Sequence, residues 1–183
     1  MQYRSLTDGS CYPTHATRAL RCDIGAEKRM ESMKDNRIVL VLWTDDFDEM
    51  AATAFVTAPR KLGIRVKLVS PTRNRFVGAN GLELVADATL EQVLFLSDRV
   101  RAVIVPGNAG AVRRLDNDPR VRELLCQADT HDAVFITSAD AAPELARLLD
   151  RHKTGRAVTT YLNSLAAVGL AQEFAENRSV EQS

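Results

Sequence analysis

Cysteine is scarce in this sequence: Cys11, Cys22 and Cys126 are three residues of 183. They are too few and too scattered for the disulfide framework that staples small secreted folds, so a reducing cytoplasm is the expected location. Neither sign of charge is in excess. With 24 Lys+Arg against 24 Asp+Glu, no global field draws the chain to nucleic acid or to a membrane surface, and neither is expected as a partner. No apolar run approaches the ~18 residues that a membrane helix needs. No repeat, low-complexity tract or second domain stands out. The length suits one ordinary domain with a hydrophobic core.

The first 32 residues differ from the rest. "MQYRSLTDGSCYPTHATRALRCDIGAEKRMES" mixes polar, charged and turn-forming residues without a sustained period of 2 or 3.6. It lacks the apolar core of a secretory signal, and Asp8, Asp23, Glu27 and Glu31 argue against a transit peptide. Residues 1–32 are therefore expected to form a disordered leader, and 33–183 the folded domain. Cys11, His15 and Cys22 are three loosely spaced ligand types in that tail, which is a weak metal signal; no metal and no cofactor are expected.

From Met33 onwards strands and helices alternate. "RIVLVLW" (Arg37 to Trp43) is a β-branched and aliphatic run of the kind buried on both faces of a sheet. "DDFDEMAATAFVTAPRKLG" follows, acidic in its first turn and basic in its last, with Gly63 placed to end the helix and Pro59 to kink or shorten it. "IRVKLVS" is a second strand, and "PTRNRFVGANGLELVADATL" carries turn residues around a short strand pair. Arg101 to Val105 is a third buried strand, ending in the glycine-bearing turn "PGNAG". "DPRVRELLCQAD" is an amphipathic helix opened by Asp118 and Pro119. "AVFITSA" is a fourth core strand, followed by a helix from Ala141 to Asp150, then a fifth strand "GRAVTT" and a helix "NSLAAVGLAQEFAEN".

This order predicts an α/β three-layer sandwich, a flavodoxin-like, mostly parallel sheet covered on both faces. Ligands in such folds bind beyond the carboxyl ends of the strands. Three loops project there: "TDDFDE", "PGNAG" and "SADAAP". "GNAG" is no phosphate loop, since it lacks the Gly-Lys-Ser/Thr ending.

"VIVPGNAGAVRRLDNDPRVRELL" resembles the signature of the ThiJ/PfpI (Parkinsonism-associated deglycase) family: a strand, Pro-Gly-Gly and an acid-started helix. "GANGLELVADATLEQV" and "FDEMAATAFVTAPRKLGIRVKLVS" are similar to the family's neighbouring segments, so that the likeness runs from Arg37 to Arg178. The resemblance implies a fold of the class I glutamine amidotransferase-like type, cysteine-dependent glyoxalase, deglycase or peptidase-like chemistry, stress-related roles and homo-oligomers.

Departures then shape the expected function. The family's elbow reads Cys-x-Gly-Pro, and the aligned residues here are Asp140, Ala141, Ala142 and Pro143. The family acid that hydrogen-bonds the cysteine aligns with Ala51, and the second glycine of Pro-Gly-Gly, after Gly107, is Asn108. Tyr161 ends the stretch that brings a His or Tyr close to the cysteine. The chain stops near Val180, before the family's final strand and helix. What the resemblance implies is a relative without cysteine-dependent activity, acting as a binding, regulatory or stress-related protein.

Three readings of Asp140 stand side by side. It can simply cap the elbow helix, a role that Asp favours and that is worth ~1 kcal/mol. It can be a ligand-binding or regulatory anion in a pocket lined by Asp48, Glu49, Ala51 and Tyr161. Amide groups of Ala141, Ala142 and Asn108 would then hold it ionised, in the place of the family's oxyanion hole. Or it can be the nucleophile of an active hydrolase, forming an ester that a base-activated water must cleave. The histidines offer little help with that last step. His131 falls at the amino end of a strand, His152 beyond the elbow helix, and His15 in the leader. Asp45, Asp46, Asp48 and Glu49 read first as a helix-start charge cluster, second as oxygen ligands of a divalent cation together with Asp140. Cys126 reads as a small core residue.

Overall fold

The computed structural model describes residues 37–71, 75–150 and 157–180. The expectation of a leader over 1–32, with its Cys11, His15 and Cys22, lies outside the described residues.

The first strand, β1 (Ile38–Leu42), is buried at every position. Its alternate side chains feed two separate cores: Ile38, Leu40 and Leu42 enter one, Val39 and Val41 the other. That is the reason the run is continuously apolar rather than alternating. Helix α1 (Glu49–Lys61) follows, capped by Asp48 and continuing two residues past Pro59. Gly63 then adopts φ +79°, the left-handed geometry that stops a helix at little cost in glycine. The return strand is β2 (Arg65–Ser70). A small antiparallel hairpin comes next, β3 (Arg75–Val77) with β4 (Glu83–Val85). It leads to β5 (Ala88–Thr89) and a five-residue helix α2 (Leu90–Leu94).

The chain then crosses β1 to β6 (Val100–Val105) and winds outwards. Helices α3 (Ala109–Asp116) and α4 (Pro119–Thr130) precede β7 (Val134–Ser138). Helix α5 (Ala142–Asp150), β8 (Val158–Tyr161) and α6 (Ser164–Val180) complete the order. The main sheet runs β5-β2-β1-β6-β7-β8, with every pairing in it parallel. Helices α1 and α6 cover one face with Phe55, Ala167, Ala171 and Phe174. Helices α2 to α5 cover the other with residues such as Val93, Val112, Leu125 and Leu145. This is the three-layer α/β sandwich that strand–helix alternation predicts. No helix among the described residues is long and apolar enough to cross a membrane.

Two helices were not expected. The segment after β6 reads as a glycine-bearing turn, yet α3 starts at Ala109. Gly110, inside it, lowers helix propensity by up to ~1 kcal/mol. Against that, the Asn108 side chain caps Ala111 N–H at 3.0 Å, and Ala111, Val112 and Leu115 form a buried face. Helix α2 was hidden among turn residues, although Thr89 and Gln92 close a capping box around its first turn.

Candidate functional site

The three expected loops do meet beyond the carboxyl ends of the strands. A switch in winding lies between β1 and β6, where the chain has strands on both sides of its starting point. Here Asp48 N–H donates to the Pro106 carbonyl at 3.1 Å, joining the β1 loop to the glycine turn. Asp48 holds more than that. One carboxylate oxygen accepts from Ala51 N–H at 3.0 Å as a helix cap, and the other accepts from Ser164 Oγ at 2.7 Å. The start of α6 is thereby tied to the start of α1, across 116 residues of sequence. Ser164 was not singled out by sequence; a lone serine opening a helix carries no signal of a partner so remote.

Asp140 is exposed in the turn between β7 and α5. One oxygen accepts from Ser138 Oγ at 2.5 Å, and that hydroxyl also lies 2.6 Å from the Gly107 carbonyl. A serine hydroxyl has one proton, so it serves one of these two acceptors at a time. Through Ser138 the carboxylate is linked to the glycine turn. The expected cradle of amides is a different matter. Ala141 N–H donates to Ser138 O at 3.1 Å, and Gly107 N–H to Val105 O at 3.1 Å. Both are committed to their own turns, so neither forms an oxyanion hole in this geometry. The reason is a displaced helix start: α5 begins at Ala142, leaving Asp140 two residues ahead of it. Asp140 therefore stands outside the N-cap position as well. Its backbone is unstrained too, since Asp46 and Asp132 are the non-glycine residues at positive φ among those described.

Tyr161 ends β8 directly beside this turn. Its Cα pairs with Ser138 in the ladder, and its carbonyl accepts from Ala139 N–H at 2.8 Å. The ring is 3 % exposed and packs on Phe55 with centroids 6.0 Å apart. Its hydroxyl has no hydrogen-bond partner among the described residues. Burial pushes the phenol's pKa up first, and the negative charges of Asp48 and then Asp140 push it further. Tyr161 forms no direct hydrogen bond to Asp140. An acid whose pKa rises on folding contributes stability below its ordinary value of 10.0, and that contribution is lost as pH climbs above it. Spectrophotometric titration of tyrosinate at 295 nm checks this. One of the three tyrosines should stay un-ionised above pH ~10.5 until the protein unfolds. The Tyr161→Phe variant should lose that late step alone.

Other expected residues are placed as follows. Ala51 is fully buried on α1 in the core that also holds Tyr161. Glu49 does not turn to Asp140: its Oε1 accepts from Asn80 and Leu82 N–H, both at 2.8 Å, pinning the β3–β4 hairpin. The Leu82 bond is the main reason its pKa falls below the ordinary 4.5. Asp46 and the Asp45 carbonyl engage Arg114. Among the described residues no group of three His, Cys, Asp or Glu side chains is arranged to hold a metal ion. Thr137 is buried and donates to the Val105 carbonyl. His131 is an exposed C-cap of α4 at the amino end of β7, and His152 lies outside the described residues. Cys126 is half-buried on α4, which runs back towards the amino ends of the strands. A cleft of about 580 Å³, missed by sequence, opens beyond β1 and β2 between Trp43, Pro71, Phe76, Arg114 and Arg120. Its lining comes from four separate segments, which no single stretch of sequence brings together.

A doubly wound parallel sheet, with a strand-to-helix corner and a glycine turn side by side at its carboxyl end, defines a flavodoxin-like protein of the class I glutamine amidotransferase-like type. The model of the DJ-1/PfpI family matches residues 37–182, and the chain belongs to that family. Solved structures agree on the fold. Drosophila melanogaster DJ-1beta superposes with a TM-score of 0.64 at 16% identity, over 80% of this chain and 95% of that one. A mutant DJ-1 superfamily protein from Salmonella typhimurium gives 0.62 at 20%, over 80% and 95%. Oxidized Toxoplasma gondii DJ-1 gives 0.62 at 15%, over 79% and 97%. No curated protein matches the sequence significantly.

Proposed function

We propose that this chain is a DJ-1/PfpI-family protein without cysteine-dependent activity, acting by binding a small molecule at the Asp140 corner or by self-association. One observation carries the reading. The side chain at the strand-to-helix corner is a carboxylate, hydrogen-bonded to Ser138 and linked through it to the glycine turn. An aspartate cannot copy a thiolate's reversible attack on aldehydes or its climb to sulfenic and sulfinic acid. It does resemble the end of that climb, a short side chain with two anionic oxygens. Buried Ala51 supports the same reading, since it supplies no acid to a group at the corner. The purified full chain is expected to show glyoxalase, deglycase and peptidase turnover no higher than buffer. Turnover that disappears in Asp140→Ala would refute the reading.

A further inference from the structure

We propose that the cleft beyond β1 and β2 binds a free α-amino acid with an apolar side chain. The proposal is independent of the reading of Asp140, whose failure would leave this cleft as it is. The cleft measures about 580 Å³, within the range of about 300–1,000 Å³ usual for small-molecule sites. Two arginines hold its walls together. Arg114 Nη2 on α3 donates to the Asp45 carbonyl at 2.5 Å and to Asp46 Oδ2 at 3.4 Å, tying that helix to the loop after β1. Arg120 Nη2 on α4 donates to the Pro71 carbonyl at 3.0 Å, tying that helix to the end of β2. Trp43, Pro71, Phe76 and Pro119 supply apolar lining.

The charged groups of the lining choose the ligand. Arg120 and Asp118 neutralise each other: the carboxylate accepts from Nε at 3.1 Å and from Nη2 at 2.7 Å. Arg114 is different. Its contacts use Nη2 alone, so the donors on Nε and Nη1 have no partner among the described residues. The Asp45 carboxylate has none there either, although the carbonyl of the same residue sits against Arg114. The cleft therefore offers unused guanidinium donors and an unused carboxylate on two residues in contact, next to an apolar wall. A simple anion would meet Asp45 and Asp46 beside the guanidinium, and a simple cation would meet Arg114 beside Asp45. An uncharged apolar molecule would strip water from both charges and return no hydrogen bond, which costs free energy. A zwitterion answers both. Its carboxylate takes the Arg114 donors, its ammonium group the Asp45 carboxylate, and its side chain the apolar wall.

The test uses the full chain and reads the fluorescence of Trp43, its single tryptophan, with equilibrium dialysis as a second measure of affinity. The probes are L-phenylalanine and two analogues of its shape, phenylpropionate without the ammonium group and phenethylammonium without the carboxylate. L-Phenylalanine should bind saturably, and each analogue at least about threefold more weakly, in line with one partly exposed ion pair. Arg114→Gln should abolish the advantage of L-phenylalanine over phenethylammonium, and Asp45→Asn its advantage over phenylpropionate. Cooperative thermal unfolding of each variant establishes that it is folded. Asp45→Asn alters a carboxylate that holds nothing else among the described residues, so it decides the matter even where Arg114→Gln does not fold. No binding of L-phenylalanine or L-leucine by dialysis, equal binding of all three probes, or both advantages kept in the variants would each overturn the proposal.

Discussion

The Asp140→Cys variant is expected to carry an unactivated thiol and to consume methylglyoxal no faster than buffer. A free cysteine titrates near pH ~8.5 and is only a few per cent thiolate at neutrality. Its pKa falls when amide donors, a helix start or a cation stand beside it. At position 140 two of the corner's amides are already committed. The Ala141 and Gly107 amides are bonded to Ser138 and Val105 carbonyls, and α5 starts two residues later. Position 51, which carries the family's acid partner, holds a buried methyl group. The alkylation rate with iodoacetamide, measured against pH and corrected for Cys11, Cys22 and Cys126 in the natural chain, should have its midpoint at or above ~8.5. A midpoint below ~7 with measurable turnover would mean that residue 140 alone separates this chain from thiol chemistry, and that the amides reorganise around a thiolate.

How far the sequence could be read differs between the sheet and the site. The strands were legible because parallel strands covered on both faces must be apolar throughout, and "RIVLVLW" and "VIV" meet that demand locally. Asp118 and Gly63 were legible as helix punctuation for an equally local reason: a cap bonds to an amide two residues on, and a glycine takes the positive φ that ends a helix. The corner was legible in position, since a strand, a turn and a helix follow one another in "FITSADAAPELARLL". Its hydrogen bonding was not. Whether Ala141 N–H meets the Asp140 carboxylate or the Ser138 carbonyl depends on a one-residue shift in where α5 begins, and alanines give no cap signal to fix that boundary. Contacts such as Ser164 with Asp48, or Asp140 through Ser138 with Gly107, join residues 31 to 116 positions apart. They follow from strand order, which no single segment encodes.

Truncating Phe55 to alanine should be the most destabilising single change near the site. Phe55 is fully buried on α1, in the core shared by the sheet, α1 and α6. Phe→Ala in such a place costs about 3–5 kcal/mol, counting both lost transfer energy and the cavity left behind. A domain's whole stability is ~5–15 kcal/mol. With a urea slope of ~1–3 kcal/mol/M, the unfolding midpoint should fall by about 2 M. Phe55→Leu keeps most of the volume and should cost less than ~1.5 kcal/mol. A second consequence separates this from any other core truncation. Phe55 packs on the Tyr161 ring, and the loss of its own ring opens a void there. Burial is the first cause of the raised phenol pKa, so water entering that void should let Tyr161 ionise at lower pH in a protein that is still folded. If the late tyrosinate step stays where it is in Phe55→Ala, the void has closed over the ring, and the negative charges of Asp48 and Asp140, rather than burial, keep the phenol neutral.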